Sequence, residues 1–343
     1  MRLSDFDFEL PEELIAQQPL AERSDSRLMV LSRADGGLAL GSFAAVADHF
    51  RQGDLLVIND TRVIPARLQG RKESGGRVEA LLVRRLPDDG EVWSCLTKAS
   101  RGPAAGTRLL FGKDLTATVL AGGEAPYKRI RFHCDGDFLT RLNEIGRIPL
   151  PPYIRRDDRP LDRERYQTVF AREDGSIAAP TAGLHFTPEI FHILRDKGVE
   201  IQSLTLHVGL GTFLPVRVED VRLHRMHEET YTVSPKTAAA VNRARAEGRR
   251  VIALGTTSAR TLEYAVDDEG RLRSGSGLCD LFIYPGYRFR VVDGLLTNFH
   301  LPRSTLLMLV SALAGREAIL AAYRRAVAEG FRFFSYGDCM LIL

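Results

Sequence analysis

Three histidines stand where small and polar residues crowd together. They are His185 in Pro180-Thr181-Ala182-Gly183-Leu184-His185-Phe186-Thr187, His207 in Leu206-His207-Val208-Gly209-Leu210-Gly211-Thr212-Phe213, and His300 in Thr297-Asn298-Phe299-His300-Leu301-Pro302. Imidazole titrates near neutrality, so each can take or give a proton at working pH. His185 is the first choice as general base, because its Gly and Thr flanks offer little apolar packing and should leave its pKa near neutral. His207 and His300 are its rivals. His207 interrupts an apolar strand, where an imidazole also serves as a hydrogen-bonded core residue.

Other polar residues gather at similar junctions. Gly255-Thr256-Thr257-Ser258-Ala259-Arg260-Thr261-Leu262-Glu263 follows the apolar strand Val251–Leu254 and opens a helix. Free backbone N–H groups at a helix start favour a carboxylate or phosphate, with Arg260 near; ordinary N-capping by the hydroxyls explains the same residues. The turn has neither the Gly-Lys-Thr/Ser ending of a P-loop nor a dinucleotide fingerprint. Asn59-Asp60-Thr61-Arg62 ends the apolar run Leu55–Ile58, with Asp60 and Arg62 either contacting a ligand or pairing with each other. Asn298 with Ser304, and Asp338 in Phe334-Ser335-Tyr336-Gly337-Asp338, complete the set. His224 and His227 beside Glu228 and Glu229 invite a metal, but His-x-x-His is not the i, i+4 pair of a zincin and the flanking Tyr231-Thr232-Val233 is strand-like.

The elements that must carry these groups are legible in outline. Thr187-Pro188-Glu189 starts a helix, with Thr187 as N-cap, Pro188 in the first turn and Glu189 at the positive dipole end. Ser234-Pro235 starts another that runs to Ala246, and a long apolar helix begins at Leu306. Helices are expected near Pro11–Gln17 and Phe43–Phe50, strands at Leu28–Leu31, Ser203–Val208 and Phe331–Met340. Between about Pro65 and Ile145 the texture changes to short β-rich runs separated by Gly, Pro and Asp turns, the pattern of a small antiparallel barrel or sandwich. The expected fold is an α/β main domain (residues 1–64 and 148–343) with an inserted antiparallel β-barrel domain (residues 65–147).

The 343 residues, 44% hydrophobic and 27% charged, describe a folded globular chain with no apolar run long enough for a membrane. Met1 to Phe6 lacks the apolar core of a signal peptide, so a cytoplasmic location is expected. Four scattered cysteines, expected reduced and buried, give no disulfide framework or zinc ribbon. The net charge is only +3, yet arginines cluster, above all Arg155, Arg156, Arg159 and Arg163. Such clusters suit RNA phosphates, or a solvated face with acids close by.

Taken in order, the motifs at Asn59, Pro180–Thr187, Leu206–Phe213, His224–Tyr231, Gly255–Glu263, Thr297–Thr305 and Phe334–Asp338 resemble the S-adenosylmethionine:tRNA ribosyltransferase-isomerases of queuosine biosynthesis, over nearly the whole chain and least in the β-rich insert. The resemblance implies a cytoplasmic transferase that moves the ribosyl part of S-adenosylmethionine onto 7-aminomethyl-7-deazaguanine at the tRNA wobble position. The products would be epoxyqueuosine, adenine and methionine. S-adenosylmethionine would be consumed as substrate, with no metal or redox cofactor, and tRNA would be the partner; separately from the resemblance, a monomer is expected. The resemblance marks His185, His207 and His300 as catalytic candidates. Asn59, Asp60, Arg62, Thr181, Gly183, Phe186, Gly209, Gly211, Thr256, Thr257, Ser258, Arg260, Glu263, Asn298, Ser304 and Asp338 become substrate-binding candidates, and the four clustered arginines tRNA contacts. A methyltransferase, a non-catalytic RNA-binding protein and a metallohydrolase are the rival readings.

Overall fold

The computed structural model describes residues 1–112, 114–123, 125–209, 211 and 215–343. Leu210, Thr212 and Phe213 of the expected glycine turn lie outside the described residues. In chain order the strands are β1 (Arg27–Leu31), β2 (Leu38–Ser42), β3 (Leu55–Asn59) and β4 (Thr61–Val63), then β5 (Arg67–Lys72), β6 (Arg77–Arg85), β7 (Glu91–Lys98), β8 (Arg108–Leu110), β9 (Leu115–Leu120) and β10 (Lys128–Cys134). There follow β11 (Glu173–Ser176), β12 (Glu200–Leu206), β13 (Glu229–Val233), β14 (Val251–Leu254), β15 (Gly275–Cys279), β16 (Gly294–Asn298) and β17 (Cys339–Ile342). The helices are α1 (Phe138–Ile145), α2 (Pro160–Arg165), α3 (Pro188–Asp196), α4 (Pro235–Ala246), α5 (Gly255–Tyr264), α6 (Thr305–Ala314) and α7 (Arg316–Ala328).

A nine-stranded sheet in the order β15-β13-β12-β3-β14-β16-β17-β1-β2 forms the main body. Its centre, β12, β3, β14 and β16, is parallel. β3, β14 and β16 are buried along their whole length, as their near-continuous apolar runs require of strands covered on both faces. The parallel strands all end on one side, where Asn59, Leu206, Leu254 and Asn298 lie. That edge is where open α/β sheets carry ligands.

β5 to β10 close a separate antiparallel barrel in the order β10-β7-β6-β5-β8-β9. Alternation selects its interior: in β9, Leu115, Ala117 and Val119 point inward while the residues between them do not. The barrel form settles the barrel-or-sandwich alternative. Main sheet and barrel thus give the α/β body with an antiparallel barrel that the sequence suggests.

Where a cap or breaker sits beside a helix start, local sequence and structure agree. Thr187 accepts from the Ile190 N–H to start α3, and Ser234 from Thr237 to start α4. Elsewhere packing overrode the pattern. Glu12–Leu14 and Phe43–His49 are 3-10 turns, not α-helices. The apolar helix from Leu306 is two, broken at Gly315, whose φ of 87° a side chain would resist. The expected strand Phe331–Met340 is strand only from Cys339, because Asp338 turns the preceding segment by accepting from the Arg27 and Arg332 N–H groups. All four cysteines are free; Cys134 is only half-buried, against expectation. Among the described residues no single helix is long and apolar enough to cross a membrane.

Candidate active site

His207 follows the last residue of β12 and faces a broad cleft of about 1110 Å³ between the sheet edge and the barrel. Its ring rests on the backbone of Gly175, where a Cβ would stand 3.0–3.2 Å from three ring atoms. A side chain there would crowd the imidazole, and the φ of 145° also favours glycine. Nδ1 lies 2.8 Å from Thr61 Oγ1, which fixes the ring's orientation. Burial pushes the His207 pKa down, while Glu173, Asp60 and Asp174 pull it the other way. The barrel contributes Trp93, Lys128 and the ion pairs Arg85–Glu91 and Arg129–Asp88 to the cleft, and His227 lies against Gly211.

His185 is placed quite differently. It is 3% exposed, packed on Phe43 at 5.2 Å, with Nδ1 2.8 Å from Ser26 Oγ and Nε2 3.1 Å from Asn298 Nδ2. Burial, reinforced by Arg332 and Arg23, drives its pKa down to about 3. The expectation of a near-neutral, loosely packed ring is therefore corrected: small flanking residues let neighbouring elements close over the imidazole instead of exposing it. His300 is buried too, bonded to Thr297 Oγ1 at 3.0 Å through Nε2, with its pKa lowered to about 3 by desolvation. Of the three, His207 alone reaches the broad cleft.

The two buried histidines predict acid sensitivity. The unfolded chain binds a proton at each near pH 6.5, while the folded chain stays unprotonated down to about 3. Stability should thus fall as pH drops from about 6.5 towards 3, by up to about 1.4 kcal/mol per pH unit for each histidine. Urea unfolding of His300→Gln across that window should show a shallower decline than the parent protein. An identical slope would mean that His300 is protonated in the folded state.

Several other predicted contacts have internal partners. Asn59 donates to the Leu206 carbonyl and Thr257 Oγ1 and accepts from the Leu206 and Thr61 N–H groups. It ties β3 to β12 with every hydrogen-bonding atom engaged, so it is not placed to read a base edge. Asp60 accepts from Arg172 and from Thr205 Oγ1, each at 2.7 Å, while Arg62 turns to Asp174 at 3.9 Å. The Asp60–Arg62 pairing, one of the two readings, does not form: both Asp60 oxygens are taken by Arg172 and Thr205, and Arg62 donates instead to the Ala171 carbonyl.

Arg260 is corrected in the same way: it is 3% exposed and bonded to Glu229 at 2.5 Å and to the Leu281 carbonyl, so it does not hold an anion in the cleft. Glu263 accepts from the N–H groups of Arg290, Val291 and Val292 and anchors that turn. Ser304 caps α6 and Ser258 donates to the Leu254 carbonyl. Gly183 gives way to Thr168 and Phe170, and Phe186 stacks on Phe191 at 4.8 Å. Gly209 donates its N–H to Glu229 Oε1, which holds the backbone beyond His207. Thr181, Thr256, Thr257 and Asn298 line a second, smaller cavity.

The clustered arginines largely serve the fold. Arg155 donates to both oxygens of Glu12, Arg156 to both of Asp162, and Arg163 to the carbonyls of Asn143 and Gly146. Arg159 is exposed, and among the described residues its guanidinium has no partner. Thr61 and Gly175, which set the His207 ring, are absent from the candidate set; for Gly175 the Asp-Gly pair after two charged residues is the available signal. No group of three or more His, Cys, Asp or Glu that could hold a metal occurs among the described residues, and His224 packs on the Phe282 ring at 5.1 Å.

A family model described as queuosine biosynthesis protein matches residues 3–342. The chain belongs to that family. An S-adenosylmethionine:tRNA ribosyltransferase-isomerase of Syntrophotalea carbinolica is 71% identical over 343 residues, covering all of both chains. One from Citrifermentans bemidjiense is 58% identical, again over the full length of each. The crystal structure of the S-adenosylmethionine tRNA ribosyltransferase from Thermotoga maritima is 39% identical, covers 99% of this chain and 100% of its own, and superposes with a TM-score of 0.56. As a queuosine biosynthesis family member, the protein has its predicted catalytic histidines at the carboxyl edge of the sheet, but only His207 opens to the large cleft.

Proposed function

We propose that this protein transfers and isomerises the ribosyl moiety of S-adenosylmethionine onto 7-aminomethyl-7-deazaguanine at the wobble position of tRNA, giving epoxyqueuosine and releasing adenine and methionine. The full-length relatives at 71% and 58% identity support the reaction. The observation that carries it in the structure is the cleft, where the His207 imidazole, its pKa lowered by burial, shares one space with a barrel wall of paired charges, Arg85 with Glu91 and Arg129 with Asp88. The carbon beside a sulfonium is acidified, and of the three candidate histidines His207 is the one that lines that space. Thr61 and Gly175 hold its ring, and the Arg172–Asp60–Thr205 contacts hold the strand end beneath it.

Purified protein with S-adenosylmethionine and tRNA bearing 7-aminomethyl-7-deazaguanine should yield free adenine and methionine in equal amounts. tRNA carrying plain guanine should not react. Formation of S-adenosylhomocysteine would instead make the protein a methyltransferase, and restoration by added metal after EDTA inactivation would make it a metalloenzyme.

The arginine cluster separates by the same logic. Arg159→Ala should flatten the salt dependence of tRNA binding by about 0.7–0.9 in log–log slope, the loss of one phosphate contact. Arg156→Ala should leave the slope unchanged, because its guanidinium is held by Asp162. Filter binding between 50 and 200 mM salt decides, and equal slopes for Arg159→Ala and the parent would show Arg159 to be only a solvated cation.

A further inference from the structure

A second, smaller cavity lies at the start of α5. Segments around Thr181, Thr256, Asn298 and Phe334 enclose it. No carboxylate, ammonium or guanidinium group is among its described lining residues.

Two independent features of this cavity ask for a ligand. The first is the start of α5, which is buried from Gly255 to Glu263 and whose N-cap, Leu254, offers no side-chain acceptor. Helices α1, α3, α4 and α6 are each capped by a side chain, from Asp137, Thr187, Ser234 and Ser304. A buried helix start without a cap leaves N–H groups needing an acceptor. The second is Asn298, 2% exposed, whose Oδ1 is buried without a partner. Its amide orientation is set from the other side, because Nδ2 faces the Phe334 carbonyl at 3.0 Å and His185 Nε2 at 3.1 Å. A buried amide oxygen left open calls for a donor.

The ligand must therefore present a donor and an acceptor on one edge, be uncharged, and fill a space walled by Phe334, Tyr153, Pro180 and Val208. An α-amino acid zwitterion is excluded by the lack of any countercharge. A purine carrying an exocyclic amino group satisfies every requirement. Resting on the ribosyl-transfer reading above, we propose that this cavity holds the adenine of S-adenosylmethionine, its amino group donating to Asn298 Oδ1 and a ring nitrogen accepting from the first N–H groups of α5. The site then also serves departure. When the bond from sugar to base breaks, its electron pair stays on the purine, and the positive end of the α5 dipole is where that charge is best held. One proton, equivalent to that taken from the sugar carbon, completes free adenine.

The test uses the whole protein and three probes, adenine, purine and hypoxanthine, titrated by calorimetry. Adenine should bind and compete with S-adenosylmethionine. Purine, which lacks the amino group, should bind at least about 10-fold more weakly, and hypoxanthine, which turns an acceptor to Asn298, more weakly still. Ala182→Val, which narrows the cavity, should weaken adenine by a similar factor, and Asn298→Ala should erase the preference for adenine over purine. No adenine binding, equal binding of all three probes, or unchanged adenine binding in folded Ala182→Val would each overturn the site, even if Asn298→Ala does not fold. Release of free adenine in the transfer assay is scored separately: adenine release without this discrimination would discard the site and leave the reaction standing.

Discussion

Replacing His207 with alanine should lower turnover about 10²–10⁴-fold, the range for losing a general base, with the KM for S-adenosylmethionine nearly unchanged. His207→Gln should lose as much, since an amide keeps the hydrogen bond to Thr61 but cannot take the proton. His185→Ala, by contrast, should act through stability, because the ring it removes is enclosed between Phe43, Ser26 and Asn298. The pH profile gives an independent reading. Burial holds the His207 pKa below 6.5, so the base form persists as pH falls through 6.5 and kcat/KM should decline only at lower pH. Glu173 and Asp174 favour the imidazolium, so Glu173→Gln with Asp174→Asn should move the acid limb further down. Near-normal turnover in His207→Ala, or an acid limb above 6.5, would remove His207 from the role.

Two of the three histidines changed character between sequence and structure, and the reason is distance along the chain. Helix starts at Thr187 and Ser234 were readable because the cap, the proline and the apolar periodicity sit within a few residues. The barrel was readable because its strands alternate and turn locally. The environment of His185 depends on Asn298, 113 residues away, and on Ser26, 159 away. The Thr61–His207 contact spans 146 residues and the Asp60–Arg172 pair 112. Those separations are closed by the order in which β12, β3, β14 and β16 lie side by side, which no local pattern encodes. Glycine flanks are ambiguous for the same reason: at Gly175 the missing side chain admits a ring from another strand, while at Gly183 it admits Thr168 and Phe170. The motif that marks a site and the motif that marks close packing look alike until the partner is known.

Glu229→Ala should destabilise the fold by about 3–5 kcal/mol, the usual cost of leaving one partner of a buried ion pair alone. Glu229 and Arg260 are 2% and 3% exposed at the side chain, and one Arg260 nitrogen, Nη2, already lacks a partner. Removing the carboxylate leaves a buried cation beside Cys279 and the Leu281 carbonyl, with the more distant Asp280 as its remaining acid. The same carboxylate accepts from the Gly209 N–H, so its loss also frees the backbone that follows His207, and activity of the folded fraction should fall with stability. The double variant Glu229→Met, Arg260→Met separates charge from volume. Apolar side chains of similar size should recover most of the lost stability, since replacing a buried pair outright is often neutral or better. Activity should not recover with it, because methionine offers Gly209 no acceptor. Urea midpoints of the single and double variants measure the first effect and turnover the second. A single-variant loss below about 1 kcal/mol, the level of exposed pairs, would mean that Arg260 reaches solvent and is free to meet an anionic substrate after all.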